Sequence, residues 1–357
     1  MKNKFIFLNA VIIMLLMLGT SNSEPRRVLL EFVTGTWCQW CPCGDSAAEN
    51  ILDEFPQTVV VAYHGAGSDP WQNFPGSEIR NLLGFTAYPT GIIDRRNAPS
   101  NPYITYDMWQ PMVQARYSSS PNTVINVAIV TKSYNTSTRE LIMTVNSTAL
   151  QNLTSQYKIS FIMTEDNLIW PQTGNGTCPG SPVWNHKWVV RSMLNTATGE
   201  NLNTGTWNQN QMIPKTLTTT LDASWIPANC NVEVLVYRDT SALLCYAEIQ
   251  QASIQNVTAP LGITSGNEIP DQYSLSQNYP NPFNPVTHIK FTIPKDGTAS
   301  LKIFDVTGQV VATYIDGFIK AGTYNAEVDG SAMASGVYFY NLTAGTFSET
   351  KKMTLIK

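Results

Sequence analysis

The stretch VLLEFVTGTWCQWC, residues 28–41, decides the fold predicted for the first third of the chain. Its apolar first half, Val28–Val33, is typical of a buried strand and leads to two cysteines, Cys38 and Cys41, separated by two residues. A helix is predicted directly afterwards, and a helix N-terminus carries partial positive charge that stabilises a thiolate. The second cysteine lies one turn further on, close enough to resolve a mixed disulfide. The spacing therefore predicts a thiol–disulfide exchange pair.

The composition of the chain favours an exported, β-rich protein. Its 357 residues are enough for two or three domains that each bury a core. Only 13% of the residues are charged, and Asn, Thr and Ser are abundant, which suits secreted β proteins better than cytosolic helical ones. The net charge of −4 and the lack of a basic stripe argue against nucleic acid as a partner.

The N-terminus has the pattern of a secretory signal peptide, residues 1–23. Lys2 and Lys4 precede the apolar segment Phe5–Leu18, and the small residues Ser21 and Ser23 form a cleavage site. Cleavage removes both lysines and takes the net charge from −4 to −6. A single membrane anchor is the alternative, but the apolar segment is shorter than the ~20 residues that a span needs. We expect no transmembrane span after cleavage.

Hydrophobic periodicity divides the rest of the chain into three domains and a linker, so the predicted fold class is multidomain. Residues 24–119 alternate between strand and helix patterns, which predicts an α/β layer fold. Residues 120–262 are rich in Thr and Asn with several short strand patterns, which predicts an antiparallel β-sandwich. A polar linker, 263–271, precedes residues 272–357, where strand patterns recur roughly every ten residues and predict a second, small sandwich.

Six cysteines in an exported chain can be oxidised. Apart from Cys38 and Cys41, four cysteines allow three pairings, and no single pairing is predicted: Cys43, Cys178, Cys230 and Cys245. A zinc site is the alternative to redox chemistry at a Cys-x-x-Cys motif. Export to an oxidising compartment and the lack of a second such motif disfavour zinc, so we expect no metal and no cofactor.

Further residues around this motif carry a family resemblance. Trp37 directly precedes Cys38, and Ala87–Thr90, which contains Pro89, lies before a predicted strand. With these residues, positions 27–118 resemble the thioredoxin superfamily. The resemblance implies a thioredoxin-like fold in which Cys38 is the nucleophile and Cys41 resolves. It also implies that Pro89 is a cis-proline that sits against the disulfide and exposes a backbone edge to substrate peptide.

The same resemblance implies a buried acidic residue below the second cysteine that assists proton transfer, and Glu31 is the candidate. Glu31 lies on the right strand but seven residues before Cys38, one more than is usual in the family. The extra residue near Thr34 and Gly35 either forms a bulge or points Glu31 elsewhere. A surface or strand-end carboxylate is the alternative.

Two features keep a structural disulfide open as the alternative to turnover. Cys43 adds a third thiol that can trap the site in another disulfide or pair with a distant cysteine. Ser46–Glu49 matches a capping box, and a helix that starts at Ser46 would withdraw its dipole from Cys38. Asp45 would add negative charge nearby.

Polar residues in the middle of the chain carry a second resemblance, over residues 27–258. Glu165-Asp166, Asn185-His186 and Arg191 follow the Thr34–Pro42 motif, and the combination is similar to the Omp28 outer-membrane protein family of Bacteroidetes. The resemblance implies architecture and a cell-envelope location more than a mechanism. A metal site through Glu165, Asp166 and His186 is one interpretation, and side chains that hold strand ends and turns are the other.

The last block, residues 272–357, carries several distinctive segments. They are Gln277–Pro285, which is rich in Asn and Pro, the strand–turn–strand Leu301–Val311, the strand Ser335–Tyr340 and the terminal Lys351–Lys357. This run closely resembles the C-terminal sorting domain of the type IX secretion system. The resemblance implies an immunoglobulin-like sandwich that the outer-membrane translocon recognises. We therefore expect the protein at the cell surface, in the outer membrane or secreted, and in the periplasm in transit.

Two functions follow from these expectations. The first is a thiol–disulfide oxidoreductase that acts on cysteines of envelope or surface proteins, with those proteins or a redox partner as its partners. The second is a non-catalytic surface or secreted protein, with a binding or structural role, in which the Cys38–Cys41 disulfide only stabilises the scaffold.

Overall fold

The computed structural model describes residues 23–96, 103–240, 244–259, 263–266, 270–295, 297–319, 321–330 and 333–357. The predicted signal peptide falls on residues outside this set, except for Ser23. The N-terminal elements are, in chain order, β1 (Glu24–Pro25), β2 (Leu29–Thr34), α1 (Cys41–Glu54), β3 (Val59–His64), α2 (Ile79–Leu83), β4 (Thr90–Ile93), a 3-10 turn (Tyr106–Met108) and α3 (Trp109–Ser119).

The middle part of the chain consists of strands and two 3-10 turns. The strands are β5 (Asn122–Thr123), β6 (Ile125–Tyr134), β7 (Glu140–Ala149), β8 (Tyr157–Glu165), β9 (Leu168–Gln172), β10 (Ser181–His186), β11 (Val189–Met193), β12 (Glu200–Asn201), β13 (Met212–Thr220), β14 (Cys230–Arg238) and β15 (Ile249–Asn256). The 3-10 turns are Pro227–Asn229 and Leu244–Tyr246.

One eight-stranded sheet joins the N-terminal and middle parts. Its strand order is β15-β14-β8-β11-β3-β2-β4, and β12 also pairs with β8. Strands β2 and β3 are parallel, β4 is antiparallel to β2, and β11 connects β3 to β8. The sheet therefore crosses the boundary that periodicity predicts between residues 119 and 120.

The two faces of β2 pack into different cores. Leu30 and Phe32 belong to a cluster with residues of α1 and α3, including Trp109. Leu29 and Val33 belong to a cluster on the opposite face, with α2 and residues of the middle part. This alternation follows from strand geometry, because successive side chains point to opposite faces. Helix α1 thus covers the face of Leu30 and Phe32.

Strands β6, β7 and β13 form a separate three-stranded sheet that packs on β8 and β14. The apolar side chains between these layers include Met143, Phe161 and Val234, all fully or almost fully buried. The arrangement has the two layers of a β-sandwich, and one of the layers continues into the N-terminal part. Among the strands that the structure describes, β9 and β10 pair only with each other, and they form an antiparallel hairpin.

The C-terminal part contains two four-stranded sheets around a shared core, which is a β-sandwich architecture. Its strands are β16 (Ile263–Gly266), β17 (Ser274–Leu275), β18 (Val286–Ile293), β19 (Gly297–Phe304), β20 (Val310–Ile319), β21 (Gly322–Asp329), β22 (Gly336–Ala344) and β23 (Phe347–Leu355). Among the described residues, no helix combines the length and the apolar character needed to cross a bilayer.

Candidate active site at the Cys38–Cys41 turn

Cys38 and Cys41 are bonded to each other at the start of α1. Their Cα atoms are 5.4 Å apart, and the turn between them is closed by the Cys41 backbone N–H, which donates to the Cys38 carbonyl at 3.2 Å. Cys41 is the first residue of α1, and the first turn contains no acidic residue. Cys38 lies three residues before the helix begins, but its bond to Cys41 holds its sulfur at the helix end, where the partial positive charge acts on it.

The capping box predicted at Ser46–Glu49 is wrong. Helix α1 begins five residues before Ser46, and the Ser46 hydroxyl donates instead to the carbonyl of Pro42, one turn earlier, at 3.0 Å. Proline is tolerated in a first turn because its missing N–H would have no intrahelical partner there. The early start keeps the helix dipole at the cysteines.

Pro89 and Trp37 lie next to this turn. The Tyr88–Pro89 peptide bond is cis, and the loop packs so closely on α1 that a Cβ added at Gly44 would lie 3.2 Å from the Pro89 ring. The Trp37 indole is 40% exposed, donates to the carbonyls of Gly65 and Ala66, and packs on the Tyr88 ring at 5.3 Å. The structure therefore places Pro89 against the helix that begins with Cys41.

Glu31 does not lie with the cysteines, which corrects its predicted placement. It shares the face of Leu29 and Val33, opposite to the face that α1 covers. There it accepts two hydrogen bonds from Arg95, at 2.7 and 2.8 Å, and one from the Tyr63 hydroxyl at 2.8 Å. Phe32, six residues before Cys38, takes the position on the α1 side and packs on Trp109. Glu31 lies seven residues before Cys38 instead of six, so its side chain points to the face of the sheet opposite α1.

The β9–β10 hairpin and the segment that follows β9 contact the cysteine turn, which the sequence did not predict. Gln172 donates to the Cys38 carbonyl at 3.0 Å and to the Gly35 carbonyl at 3.2 Å. The Thr173 N–H donates to the Thr36 carbonyl at 2.8 Å, and the Asn175 amide donates to the Gln39 carbonyl at 3.0 Å. Cys38 is only 4% exposed and Cys41 is fully buried.

A second disulfide joins Cys43 of α1 to Cys178 in the connection between β9 and β10. It fixes one of the pairings that the sequence left open. Cys230 and Cys245 are buried free cysteines, and burial raises the pKa of the Cys230 thiol far above its usual range. Cys43 thus ties the hairpin to the helix that carries Cys41 and does not compete for Cys38.

A polar cluster behind the turn was also missed by sequence reasoning. His64 Nδ1 lies 2.9 Å from Asp69 Oδ2, and the same carboxylate oxygen accepts the Thr36 N–H at 2.8 Å. Burial lowers the pKa of His186 to about 4, and its ring lies 5.4 Å from the His64 ring. His64 is the last residue of β3. No motif in the sequence brings these residues together.

Asp45 connects this cluster to α1. Its carboxylate accepts a hydrogen bond from the Trp184 indole of β10 at 3.0 Å. Burial raises the pKa of Asp45 to about 6, while the nearby His64 and the Trp184 hydrogen bond oppose the shift. Asp45 lies one turn after Cys41, so its charge acts on the cysteine turn.

The residues considered for a metal site in the middle part make separate contacts. Glu165 pairs with Arg191 at 3.0 Å, Asp166 accepts the Trp188 N–H at 2.7 Å, and His186 Nε2 lies 3.3 Å from the Trp170 carbonyl. Within the described ranges no group of three or more potential metal ligands occurs. These side chains hold strand ends and turns.

Comparison with protein families identifies the chain. Residues 77–257, more than half of the sequence, match the model of the family described as outer membrane protein Omp28. The chain belongs to the Omp28 family. The matched range starts after the Cys38–Cys41 turn and includes the β9–β10 hairpin and Cys178. Residues 277–357 match the secretion system C-terminal sorting domain, so this Omp28 protein carries a signal for the type IX machinery. The predicted resemblances to the Omp28 family and to the type IX sorting domain are confirmed, and the protein is exported to the cell surface or outer membrane.

One solved structure aligns along almost the whole chain. HBP35 of Porphyromonas gingivalis is 17% identical, and the alignment covers 94% of this chain and 99% of that one with a TM-score of 0.56, which shows a shared fold. Spo0M from Bacillus subtilis, 9% identical over 64% of this chain and 89% of that one, has a TM-score of only 0.21. A search of curated protein sequences gives no significant match.

Proposed function

We propose that this Omp28 protein is a thiol–disulfide oxidoreductase of the cell envelope or surface, with a thioredoxin-like domain at residues 24–119 and Cys38 and Cys41 as its exchange pair. The observation that carries the proposal is the position of the pair: Cys41 begins α1, Cys38 lies three residues earlier and is bonded to it, and the Pro89 loop packs on the same helix at Gly44. The parallel β2–β3 pair and antiparallel β4 support the thioredoxin-like assignment.

The proposed reaction is a pair of sulfur exchanges. The Cys38 thiolate attacks one sulfur of a substrate disulfide, and the other substrate sulfur leaves as a thiolate. The Cys41 thiol then loses its proton and attacks Cys38 Sγ, which releases the second substrate thiolate and leaves the Cys38–Cys41 disulfide. Two electrons pass from the protein to the substrate. The reverse sequence oxidises a substrate dithiol.

The roles proposed for the other residues follow from their contacts. The helix end favours the Cys38 thiolate, and Pro89 shapes the edge at which a substrate peptide would lie. Glu31 has no part in this scheme, because the sheet separates it from α1. Cysteine-containing exported proteins are the proposed substrates, in line with the location of the protein.

Burial of the pair favours a second function. Cys38 is 4% exposed and Cys41 is fully buried, so the disulfide is poorly accessible to a large substrate in this conformation. In this alternative the protein is a non-catalytic surface protein, with a binding or structural role, and the disulfide stabilises the start of α1.

The pKa of the Cys38 thiol separates the two functions. We would measure the rate of alkylation of Cys38 against pH in the full mature chain carrying Cys41→Ser, with Cys38→Ser as the matched variant that reports Cys41. The oxidoreductase predicts a Cys38 pKa well below the ~8.5 of a free cysteine, and a higher pKa for the buried Cys41. A Cys38 pKa at or above the ordinary value would favour the structural role.

A further inference from the structure

A groove of about 490 Å³ lies beside the Cys43–Cys178 disulfide, between α1 and the segment that contains Tyr106 and α3. Cys43 lines this groove together with Ser46 and Asn50 of α1, and Tyr106 and Gln110 form the opposite wall. Cys43 is partly exposed, whereas Cys178 is fully buried. A small molecule in the groove can therefore approach Cys43 Sγ, and the Cys178 sulfur lies behind it.

The buried sulfur has a hydroxyl beside it. The Tyr106 oxygen lies 3.9 Å from Cys178 Sγ, close enough to donate a hydrogen bond to that sulfur. The backbone N–H of Cys178 is already bonded to the Asn175 side chain. A thiolate that leaves at Cys178 would thus meet a hydrogen-bond donor, and exchange is faster when the departing thiolate is stabilised.

We propose that Cys43–Cys178 is a second thiol–disulfide exchange site, whose substrate is a low-molecular-weight thiol bound in this groove. The incoming thiolate bonds to Cys43 Sγ as the Cys43–Cys178 bond breaks, and Cys178 leaves as a thiolate hydrogen-bonded by Tyr106. A second thiolate attacks the sulfur of the bound small molecule, which departs as a symmetrical disulfide, and Cys43 is released as a thiolate that takes a proton from water. Two small thiols are oxidised and one protein disulfide is reduced.

Reduction at this site has a consequence at Cys38. The segment that Cys178 anchors to α1 is the one in which Gln172, Thr173 and Asn175 bond along the 35–39 turn. Without the disulfide this segment is held to the turn by hydrogen bonds alone, and it opens more often. Opening exposes the Cys38 turn to a large substrate. This consequence, unlike the exchange site itself, rests on the proposed function.

The test maps which cysteines react first. The full mature chain is treated with a graded series of a neutral monothiol, 2-mercaptoethanol, and in a parallel arm with a short cysteine-containing peptide, then quenched with an alkylating reagent and analysed by peptide mass mapping. We expect Cys43 and Cys178 to be labelled about tenfold faster than Cys38 and Cys41, because exchange follows access. 2-Mercaptoethanol should reduce the Cys43–Cys178 disulfide faster than the cysteine-containing peptide does. Labelling of the buried Cys230 and Cys245 reports global unfolding and marks samples to discard.

Two variants complete the test. Tyr106→Phe should slow reduction of Cys43–Cys178 several-fold, since only the hydroxyl beside Cys178 Sγ is lost. Cys43→Ser with Cys178→Ser should raise the rate of Cys38–Cys41 reduction about tenfold. Two results would overturn the proposal. One is reduction of Cys38–Cys41 before Cys43–Cys178, and the other is a rate of Cys43–Cys178 reduction in Tyr106→Phe equal to that of the wild type. Slow labelling of Cys43 after treatment with the small thiol overturns the second exchange site alone. An ordinary pKa of the Cys38 thiol overturns the proposed function alone.

Discussion

The ion pair between Glu31 and Arg95 provides a prediction that separates structural from catalytic roles. Both side chains are fully buried, and the pair is bidentate with distances of 2.7 and 2.8 Å. Glu31→Gln keeps the shape of the side chain but removes its charge. Arg95 would then be a buried cation with the Tyr237 ring, 5.0 Å away, as its main favourable partner. Breaking one side of such a pair costs about 3–5 kcal/mol of unfolding free energy.

The assay is urea unfolding followed by tryptophan fluorescence. All nine tryptophans lie between Trp37 and Trp225, so the signal reports the N-terminal and middle parts and not the C-terminal sandwich. Glu49→Gln is the matched control, because Glu49 pairs with Lys187 at 2.7 Å but both side chains are over a third exposed. That substitution should cost less than about 1 kcal/mol.

A double-mutant cycle then tests the pairing itself. Arg95→Met alone should also destabilise the protein, because it leaves the buried Glu31 carboxylate without its cationic partner. The double variant should cost less than the sum of the single variants by about 1–3 kcal/mol. Glu31→Gln should leave the rate of Cys38–Cys41 reduction unchanged. A Glu31→Gln protein as stable as the Glu49→Gln control, but slower in thiol exchange, would refute the placement of Glu31 in a structural pair.

Three further predictions concern the sorting domain and two carboxyl groups. Deletion of Lys351–Lys357 should retain the protein in the periplasm, as judged by fractionation and surface labelling, and undiminished surface display would contradict the sorting role. Asp45→Asn removes a negative charge one turn from Cys41, so it should lower the pKa of Cys38 by roughly one pH unit or less, measured by alkylation; a raised pKa would show that Asp45 assists ionisation. Burial raises the pKa of Glu233 to about 8, so the folded state holds a proton that the unfolded state releases above its ordinary value of 4.5. The free energy of unfolding should therefore fall as the pH rises from 4.5 to 8. Glu233→Gln should reduce this fall by a few kcal/mol, measured by urea unfolding at the two pH values. An unchanged pH dependence in the variant would show that a group other than Glu233 causes it.

Local patterns in the sequence located most of the elements but not their ends. The strand predicted at Val28–Val33 is β2, Leu29–Thr34. The helix predicted directly after the cysteines is α1, and its first turn starts at Cys41 and not at the alternative start, Ser46. That turn contains Pro42 and Gly44, which have low helix propensity, and packing on Pro89 outweighs it.

Long-range contacts were beyond the reach of these patterns. No local signal indicates that β11 joins β3, which makes one sheet of two predicted domains. The choice of Cys178 as partner of Cys43 depends on where the β9–β10 hairpin folds, 135 residues away along the chain. The face of Glu31 could have been read from the spacing, since seven residues instead of six turns a strand side chain to the other side.

The reduction potential of the Cys38–Cys41 disulfide tests the central claim most directly. The full mature chain is equilibrated with glutathione buffers of graded ratio and trapped by alkylation, and the fraction of reduced Cys38 is read by mass mapping. A pair that turns over should have a potential between about −270 and −120 mV. A potential below about −300 mV, the range of structural disulfides, would contradict turnover at Cys38–Cys41 and show that this disulfide only stabilises the fold.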